Sequence, residues 1–487
     1  MNGIKLFLNR IRYLQAVLYL PGLLFAFGCA GRPPDPGRAY LDIRIDGIFG
    51  DWESVEPVYT APEGSPGPAR EVRMADTPEL LFVRFDLAEE TILQSDNHLV
   101  FHLDADNDPA TGLSLAGIGA DFTWRFGERE GTVRAGGREE PVNAYQAGVV
   151  TAPTVSSERF EFKLDKTFFS EEETAFFSST GIAWVLAEDP DGGAGEGAAS
   201  GTYRLRNIPR APYPEIPIGR PEGRHIRLVS FNVLWDGHLL RPDPFRRILR
   251  ALNPDVIAFQ EIGRKTSEKE TRGQVEKWLG GEWYSGRRRD CVTVSRYPIV
   301  GAAAVDGNLA VLIDLPEEDF DRNILVINTH LPFGPRHEAR AAEISNLLSF
   351  IETAGRGEGP IPIEEGTPVV LIGDKNLVGP RVHLKTLLKG EERKPDWDST
   401  PLADLHPYHS SAPRSYTWRS YRRAGFGPGR LDYVIYTDSV LEPIGGFILA
   451  TDSMSEAALE RHGLRRDDTD VASDHYPLVV DFRLKMR

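Results

Sequence analysis

Residues 207–221 read Asn-Ile-Pro-Arg-Ala-Pro-Tyr-Pro-Glu-Ile-Pro-Ile-Gly-Arg-Pro, and no other stretch constrains the fold as strongly. Proline fixes φ and removes a backbone donor, so this segment is neither regular helix nor central strand. The hydrophobic pattern differs on its two sides. Before it, short β-rich runs follow one another at residues 80–86, 98–104, 122–126, 159–165 and 182–187, separated by Gly, Pro and Asp. Several such runs without a long amphipathic helix predict an all-β sandwich. After it, apolar strands alternate with helical periodicity, as at 245–252 and 338–351. The chain is therefore expected to be multi-domain: a β-sandwich over 41–207, a linker over 208–223 and an α/β unit over 224–487.

A length of 487 residues accommodates two or three domains, each able to bury a core. With 41% hydrophobic and 26% charged residues, the composition is that of a globular chain and excludes wholesale disorder. The net charge of −16 is unevenly spread. Residues 30–220 carry 17 basic and 33 acidic side chains, whereas residues 221–487 carry 36 and 39. A general acidic field repels polyanions, but only the first half has one. Two cysteines, Cys29 and Cys291, exclude a disulfide framework.

At the amino terminus Lys5, Arg10 and Arg12 precede an apolar stretch from Tyr13 to Phe27 with no acid among them. This is the pattern of an export signal. The run is shorter than the ~20 residues of a membrane span, and Pro21-Gly22 interrupts it. Ala26-Phe27-Gly28-Cys29-Ala30-Gly31 resembles the bacterial lipoprotein signal, which implies lipidation of Cys29. An ordinary secreted protein and a short uncleaved anchor are the alternatives. The first 29 residues would then be a signal and residues 30–40, with three prolines, a tether.

In the second half, polar residues recur at the ends of apolar strands: Asn232, Glu261, His330, Asp374 with Asn376, Asp432, and Asp474 with His475. Sheets collect such ends on one rim, so the recurrence predicts one convergent site. Val369 to Ile372 is a buried-strand pattern that breaks at Gly373, after which Asp374 and Asn376 emerge two residues apart and point the same way. Each residue alone has a plainer reading. Glu261 could pair with an arginine, His330 could be a core histidine and Asp432 a turn acid.

In the first half, Asp104, Asp106 and Asp108 alternate along one loop. Such carboxylates repel one another unless they are solvated, protonated or neutralised, and their spacing suits Ca²⁺. A solvated acidic turn is the alternative. The loop is not an EF-hand, because Pro109 and Leu115 stand where that motif needs Gly and Glu. Residues 45–52, the strand at Leu81, this loop and Gly119-Ala120-Asp121-Phe122 together resemble the carbohydrate-binding-module family 9-like sandwiches of secreted bacterial enzymes. The resemblance implies a structural Ca²⁺ held among Asp104, Asp106, Asp108 and Asp121. Glycan contact through this domain stays open, since Trp52, Trp124 and Trp184 read as core residues.

The ordered set Phe231-Asn232, Gln260-Glu261, Ser295-Arg-Tyr-Pro298, Asn328-Thr-His330-Leu, Gly373-Asp-Lys-Asn376, Arg430-Leu-Asp432-Tyr and Ser473-Asp-His475-Tyr-Pro477 resembles the endonuclease/exonuclease/phosphatase superfamily. This is the fold of deoxyribonuclease I, neutral sphingomyelinases and inositol polyphosphate phosphatases. The resemblance covers nearly all of residues 225–484. It implies a four-layer α/β/β/α sandwich and a Mg²⁺- or Mn²⁺-dependent phosphoester hydrolase. Glu261 is the expected metal ligand, with Asn232 beside it and Asp474 as a further candidate. His475 is expected as general base or phosphate ligand, held in its tautomer by Asp432. Asp374 would orient or deprotonate water, Asn376 would donate to developing charge, and His330 would contact phosphate or the leaving group. Which of Asp374 and His475 is the base stays open. Lys375, where the family carries an aromatic residue, is expected to alter substrate contacts.

The substrate is less constrained. Arg287-Arg288-Arg289-Asp290 and the set Arg414, Arg419, Arg422, Arg423 and Arg430 could form a phosphate-backbone surface or a solvated face. An export signal disfavours intracellular repair and favours extracellular nucleic acid, phospholipid head groups or phosphorylated glycans at the cell envelope. Two classes compete: a secreted or lipid-anchored metal-dependent phosphodiesterase, and an envelope glycan-binding protein with a catalytically dead second half.

Overall fold

The computed structural model describes residues 40–169, 177–179, 181–188, 197–318, 320–392, 394–420 and 425–485. The signal and tether expectations, including Cys29, lie outside the described residues, as do Arg422 and Arg423. No helix among the described residues is long and apolar enough to cross a membrane.

The first half is an all-β sandwich. One antiparallel sheet has the order Pro57–Thr60, Ala69–Asp76, Leu80–Thr91, Ser157–Asp165, Val150–Ala152. The other has the order Ala199–Tyr203, Ile182–Glu188, Leu99–Asp104, Phe122–Arg125, Glu130–Ala135, Arg138–Asn143. Alternate side chains from the two sheets meet between them. Phe162 of the first packs edge-on to Phe101 of the second, with ring centroids 5.1 Å apart. Trp52, Trp124 and Trp184 are all buried.

Strand Leu80–Thr91 departs from simple alternation: Leu81 through Phe85 are all buried. Leu81, Val83 and Phe85 face the sandwich interior. Phe82 belongs instead to an apolar cluster that continues into the second half, through Ile226, Val326, Ile372 and Val434. A strand covered on both faces needs apolar residues on both. The two halves thus share a core.

The second half holds two six-stranded sheets. One runs Tyr284–Arg288, Cys291–Ser295, Val256–Gln260, Ile226–Asn232, Leu478–Leu484, Leu441–Ile448. The other runs Ile299–Val305, Asn308–Ile313, Ile324–His330, Val369–Asp374, Asp432–Tyr436, Ala403–Asp404. Strand periodicity of two sorts their side chains into layers. Leu228, Val256, Val326 and Val370 meet between the sheets. Val229, Phe231, Ile257 and Phe259 turn outward under helix Pro242–Leu252. Leu325, Ile327 and Leu371 turn outward under helix His337–Gly355. Each fully buried aliphatic side chain contributes about 1.5–3 kcal/mol, so this layering is where most of the stability lies. The expected α/β/β/α arrangement is the one observed.

The proline-rich segment lies between the last sandwich strand, Ala199–Tyr203, and strand Ile226–Asn232, and it is no free spacer. The Ile208 N–H donates to the Asp76 carbonyl at 3.1 Å and the Ile216 N–H to the Ser410 carbonyl at 2.7 Å. Ile218 is buried among the residues of the outer layer. With its prolines unable to donate, the remaining N–H groups bond outward to both halves and lash the segment to them.

Candidate active site

Strand register brings the polar strand ends to one rim. In the parallel pair, His330 lies opposite Asp374. Asp374 in turn lies opposite Asp432 in the antiparallel pair. On the facing sheet Asn232 lies opposite Gln260, and Glu261 follows directly. Two amides link the sheets beneath the site: Gln260 Nε2 donates to Asn328 Oδ1 at 2.8 Å, and Asn328 Nδ2 donates to the Phe259 carbonyl at 3.0 Å. Gly373 is required by close approach. A Cβ there would lie 2.1 Å from the Thr329 carbonyl oxygen, and its φ is +137°.

Asp374 Oδ2 is the focus. Asn232 Nδ2 donates to it at 3.2 Å. His330 Nε2 lies 3.6 Å away and His475 Nε2 3.7 Å away. The other oxygen, Oδ1, accepts the Asn376 N–H at 3.0 Å. Burial pushes the Asp374 carboxyl up from its ordinary value, against the pull of His475 and His330. His475 Nδ1 donates to Asp432 Oδ2 at 2.8 Å, which fixes the tautomer with Nε2 toward Asp374. Burial works against the His475 imidazolium, but Asp432 and Asp374 overcome it and raise the pKa to about 10. His330 is raised to about 9, where Asp290 and Asp374 outweigh burial.

Glu261 sits at φ +61°, uncommon for a non-glycine residue and a mark of local strain. Its Oε1 accepts from Asn232 Nδ2 at 3.1 Å. Its Oε2 is buried without a hydrogen-bond partner, as is Oδ1 of Asp432. An orphaned carboxylate oxygen beside a hard-oxygen cluster fits a divalent cation, so Glu261 is suited to hold one.

Asn232 was expected as a ligand beside Glu261, and its geometry differs. Its Oδ1 accepts the Leu234 N–H at 3.1 Å while its nitrogen faces both carboxylates, which makes it a donor that aligns them. Asp474 is half-buried beside His475, and its backbone carbonyl accepts the Arg419 N–H at 3.0 Å. Asn376 joins the rim at φ +47°, with Nδ2 donating to the Leu331 carbonyl at 3.0 Å and a second N–H remaining. Lys375 does not reach substrate. It is fully buried, with Nζ donating to Thr329 Oγ1 at 2.8 Å, and burial lowers its pKa to about 7.

Among the described members of the arginine clusters, Arg287, Arg288, Arg414, Arg419 and Arg430 are engaged by protein partners, whereas Arg289 is exposed. Arg430 pairs with Asp404 at 3.0 Å, and Arg419 pairs with Asp470 at 2.6 Å and Asp452 at 3.0 Å. Arg414 lies 3.5 Å from Asp452. Arg287 donates to the Gly263 carbonyl at 2.8 Å and Arg288 to the Asp306 carbonyl at 2.7 Å.

Two contributors escaped the sequence reading. Asp290 accepts from His330 Nδ1 at 2.8 Å. It carried the same signal as the others, an acid at the head of an apolar strand, but sat at the end of an arginine run. Thr417 Oγ1 accepts the N–H groups of Leu431 and Asp432, each at 2.9 Å. A threonine in a loop carries no such signal.

In the sandwich, ligand atoms of Asp104, Asp106 and Asp121 lie within 4.8 Å of one another. Burial, with the charges of its neighbours, raises Asp121 to about 6 and also raises Asp104. Asp108 turns away from this group: its N–H donates to Asp104 and Asp106, and its own carboxylate accepts the Ala110 N–H at 3.0 Å.

Residues 229–475, about half of the chain, match the sequence model of the Endonuclease/Exonuclease/phosphatase family. No curated protein matches the chain. Among solved structures, the human Nocturnin catalytic domain with bound sulfate anion is similar at 16% identity and TM-score 0.36, over 55% of this chain and 97% of that one. ANGEL2, a 2',3'-cyclic phosphatase, in complex with adenosine-2',3'-vanadate, is similar at 17% identity and TM-score 0.38, over 54% and 96%. TDP2 of D. rerio complexed with single strand DNA product is similar at 14% identity and TM-score 0.36, over 53% and 99%. On the family match, which spans the rim described above, the chain belongs to the endonuclease/exonuclease/phosphatase family.

Proposed function

We propose that this member of the family is an exported, divalent-metal-dependent phosphodiesterase, and that its substrate is extracellular nucleic acid. The observation that carries the catalytic part is the convergence of Asn232, His330 and His475 on one oxygen of Asp374. A phosphodiester resists hydrolysis because its charge repels the nucleophile and its alkoxide leaves poorly. A bound Mg²⁺ or Mn²⁺ supplies Lewis-acid neutralisation of that charge. Glu261, whose Oε2 has no hydrogen-bond partner, would hold it, with Asp474 as a further candidate ligand, and Asn232 keeps the carboxylates of Glu261 and Asp374 aligned. Both histidines carry protons at neutral pH, so they act as cationic donors to phosphoryl oxygens. Asp374, with its raised pKa, then accepts the proton of the attacking water. Asn376 offers its second N–H to developing charge.

The rim itself speaks to the substrate. Among the described residues eight large hydrophobic side chains are exposed, and six of them, Trp235, Leu240, Phe333, Val382, Phe426 and Val471, belong to segments that lie within ten residues in sequence of the catalytic strand ends. Exposed Arg336 lies on the connection of Phe333, with its guanidinium carbon 4.4 Å from the ring centroid, and exposed Arg264 and Lys265 follow Glu261. Aromatic platforms beside cationic side chains suit single-stranded nucleic acid. A second reading is favoured by the aliphatic members: an apolar collar also suits a phospholipid surface, with the head group in the site. Lipidation of Cys29 in a bacterial cell envelope would hold the chain at such a surface.

Supercoiled DNA, RNA and sphingomyelin vesicles, assayed in parallel with Mg²⁺ and with EDTA, separate these readings. Metal-dependent cleavage of DNA or RNA, falling steeply with salt, is the expected result. Turnover of vesicle phospholipid with both nucleic acids intact would replace it with the second reading. Silence on all three would favour the non-catalytic reading, and glycan binding would be measured next.

The sandwich group of Asp104, Asp106 and Asp121 is proposed to hold Ca²⁺, which would offset the mutual repulsion of their carboxylates. Ca²⁺ at about 100 times its Kd should stabilise the chain by about 2.7 kcal/mol, read as an upward shift in Tm that Asp121→Asn abolishes. Equal melting with Ca²⁺ and with chelator would leave the group a solvated acidic turn.

A further inference from the structure

We propose that Thr154, in the strap between sandwich strands Val150–Ala152 and Ser157–Asp165, is a positioning residue of the hydrolase, tying the chain just after Asp374 to the chain just before Asp432. The proposal rests on the hydrolase reading above, and it makes the sandwich a structural part of the catalytic rim.

Asp374 and Asp432 are register partners at the end of their strands. Beyond them the ladder stops. The Lys375 N–H donates to the Leu431 carbonyl at 2.9 Å, after which the two chains part. Thr154 Oγ1 lies in that gap, 3.1 Å from the Leu377 carbonyl oxygen and 3.4 Å from that of Arg430. One hydroxyl proton thus serves two segments, chiefly Leu377.

The rest of the strap fixes Thr154 in place. Val155 bridges to Gly379 as a parallel partner, and the Ser156 N–H donates to the Gly379 carbonyl at 2.7 Å. The Arg381 N–H donates to Ser156 Oγ at 2.8 Å. On the other side Gly429 leaves room for the threonine: a Cβ there would lie 3.1 Å from Thr154 Cγ2. A second clamp comes from Tyr145, whose hydroxyl accepts the Ser420 N–H at 2.7 Å.

The clamped chain is the one that places the catalytic pair. Thr417 bonds the N–H groups of Leu431 and Asp432, and its carbonyl accepts the Tyr476 N–H at 2.8 Å, one residue after His475. Trp418 bridges to His475 itself. A shift of about 1 Å in such a constellation costs about 10²-fold in rate, so a tether at this point acts on turnover.

The test uses the full chain with Mg²⁺ and bis-p-nitrophenyl phosphate. Thr154→Val removes the hydroxyl at nearly constant shape and is expected to lower kcat about 10-fold or more with KM within about 2-fold. Thr154→Ser restores the hydroxyl and should recover most of that loss. Tyr408→Phe is the control, since it removes a sandwich contact to Asp46 without touching either catalytic segment. Amide hydrogen exchange is read in parallel at residues 376–381 and 425–431, where Thr154→Val should exchange faster. The proposal is overturned by unchanged exchange in both segments, by an unchanged kcat, or by an equal kcat loss in Tyr408→Phe. A wild-type chain silent on phosphoesters would instead sink the hydrolase reading, and exchange alone would then decide whether the strap holds the rim.

Discussion

Glu261→Ala is expected to lower kcat/KM by at least about 10³-fold, equivalent to roughly 4 kcal/mol of transition-state stabilisation. The loss follows from two facts. Oε2 is a buried carboxylate oxygen with no protein partner. Oε1 is the acceptor that, with Asp374, fixes Asn232 Nδ2. Removing the carboxylate takes away the proposed cation's anchor and frees the amide that aligns Asp374. Because Glu261 sits at φ +61°, any change in backbone strain has to be separated from loss of the carboxylate. Glu261→Gln settles that: it keeps an acceptor for Asn232 and removes only the charge. An equal loss in both variants, with unchanged melting and with Mn²⁺ affinity falling in calorimetry, assigns the residue to metal binding. A glutamine variant with near-full turnover would remove Glu261 from the mechanism.

The largest expected effect on stability lies away from the site. Arg227→Met should destabilise the chain by about 3–5 kcal/mol, read as a lower urea midpoint. Arg227 and Asp481 are 0% and 2% exposed and form a two-pronged pair, with Nε and Nη2 each 2.7 Å from a carboxylate oxygen. The remaining N–H groups donate to the carbonyls of Ile218, Leu252 and Gly219 at 2.8–3.0 Å. One guanidinium therefore joins the proline-rich segment, a helix end and two central strands. Removing it strands a buried carboxylate and three carbonyls. Arg227→Met combined with Asp481→Leu should recover much of the loss, since a buried pair replaced whole by apolar groups costs far less than one broken. A single variant as stable as wild type would mean that water satisfies those groups.

The rim was legible because strands announce themselves. An apolar run closed by Asn232, His330 or Asp374 carries its own signal, and register does the rest. Partners drawn from distant sequence left no comparable trace. Thr417 looks like any loop threonine until Asp432 folds against it. The arginines near residue 419 looked like a basic surface because their partners Asp452 and Asp470 lie more than thirty residues on. Lys375 was expected to alter substrate contacts because it stands where the family carries an aromatic residue, yet its ammonium turns into the sheet toward Thr329. The sandwich was legible as a fold but not as a neighbour. Phe82 reads as an ordinary outward position until the second half covers it.

On the proposed function, this rim hydrolyses phosphodiesters with a divalent cation held at Glu261. The most direct measurement is turnover of bis-p-nitrophenyl phosphate by the full chain stripped with EDTA, then given Mg²⁺ or Mn²⁺, beside His475→Ala treated identically. The expected result is no turnover in EDTA, recovery on adding either ion, and a loss of at least about 10³-fold in the variant. Turnover that persists in EDTA, or a His475→Ala chain as fast as wild type, would contradict it.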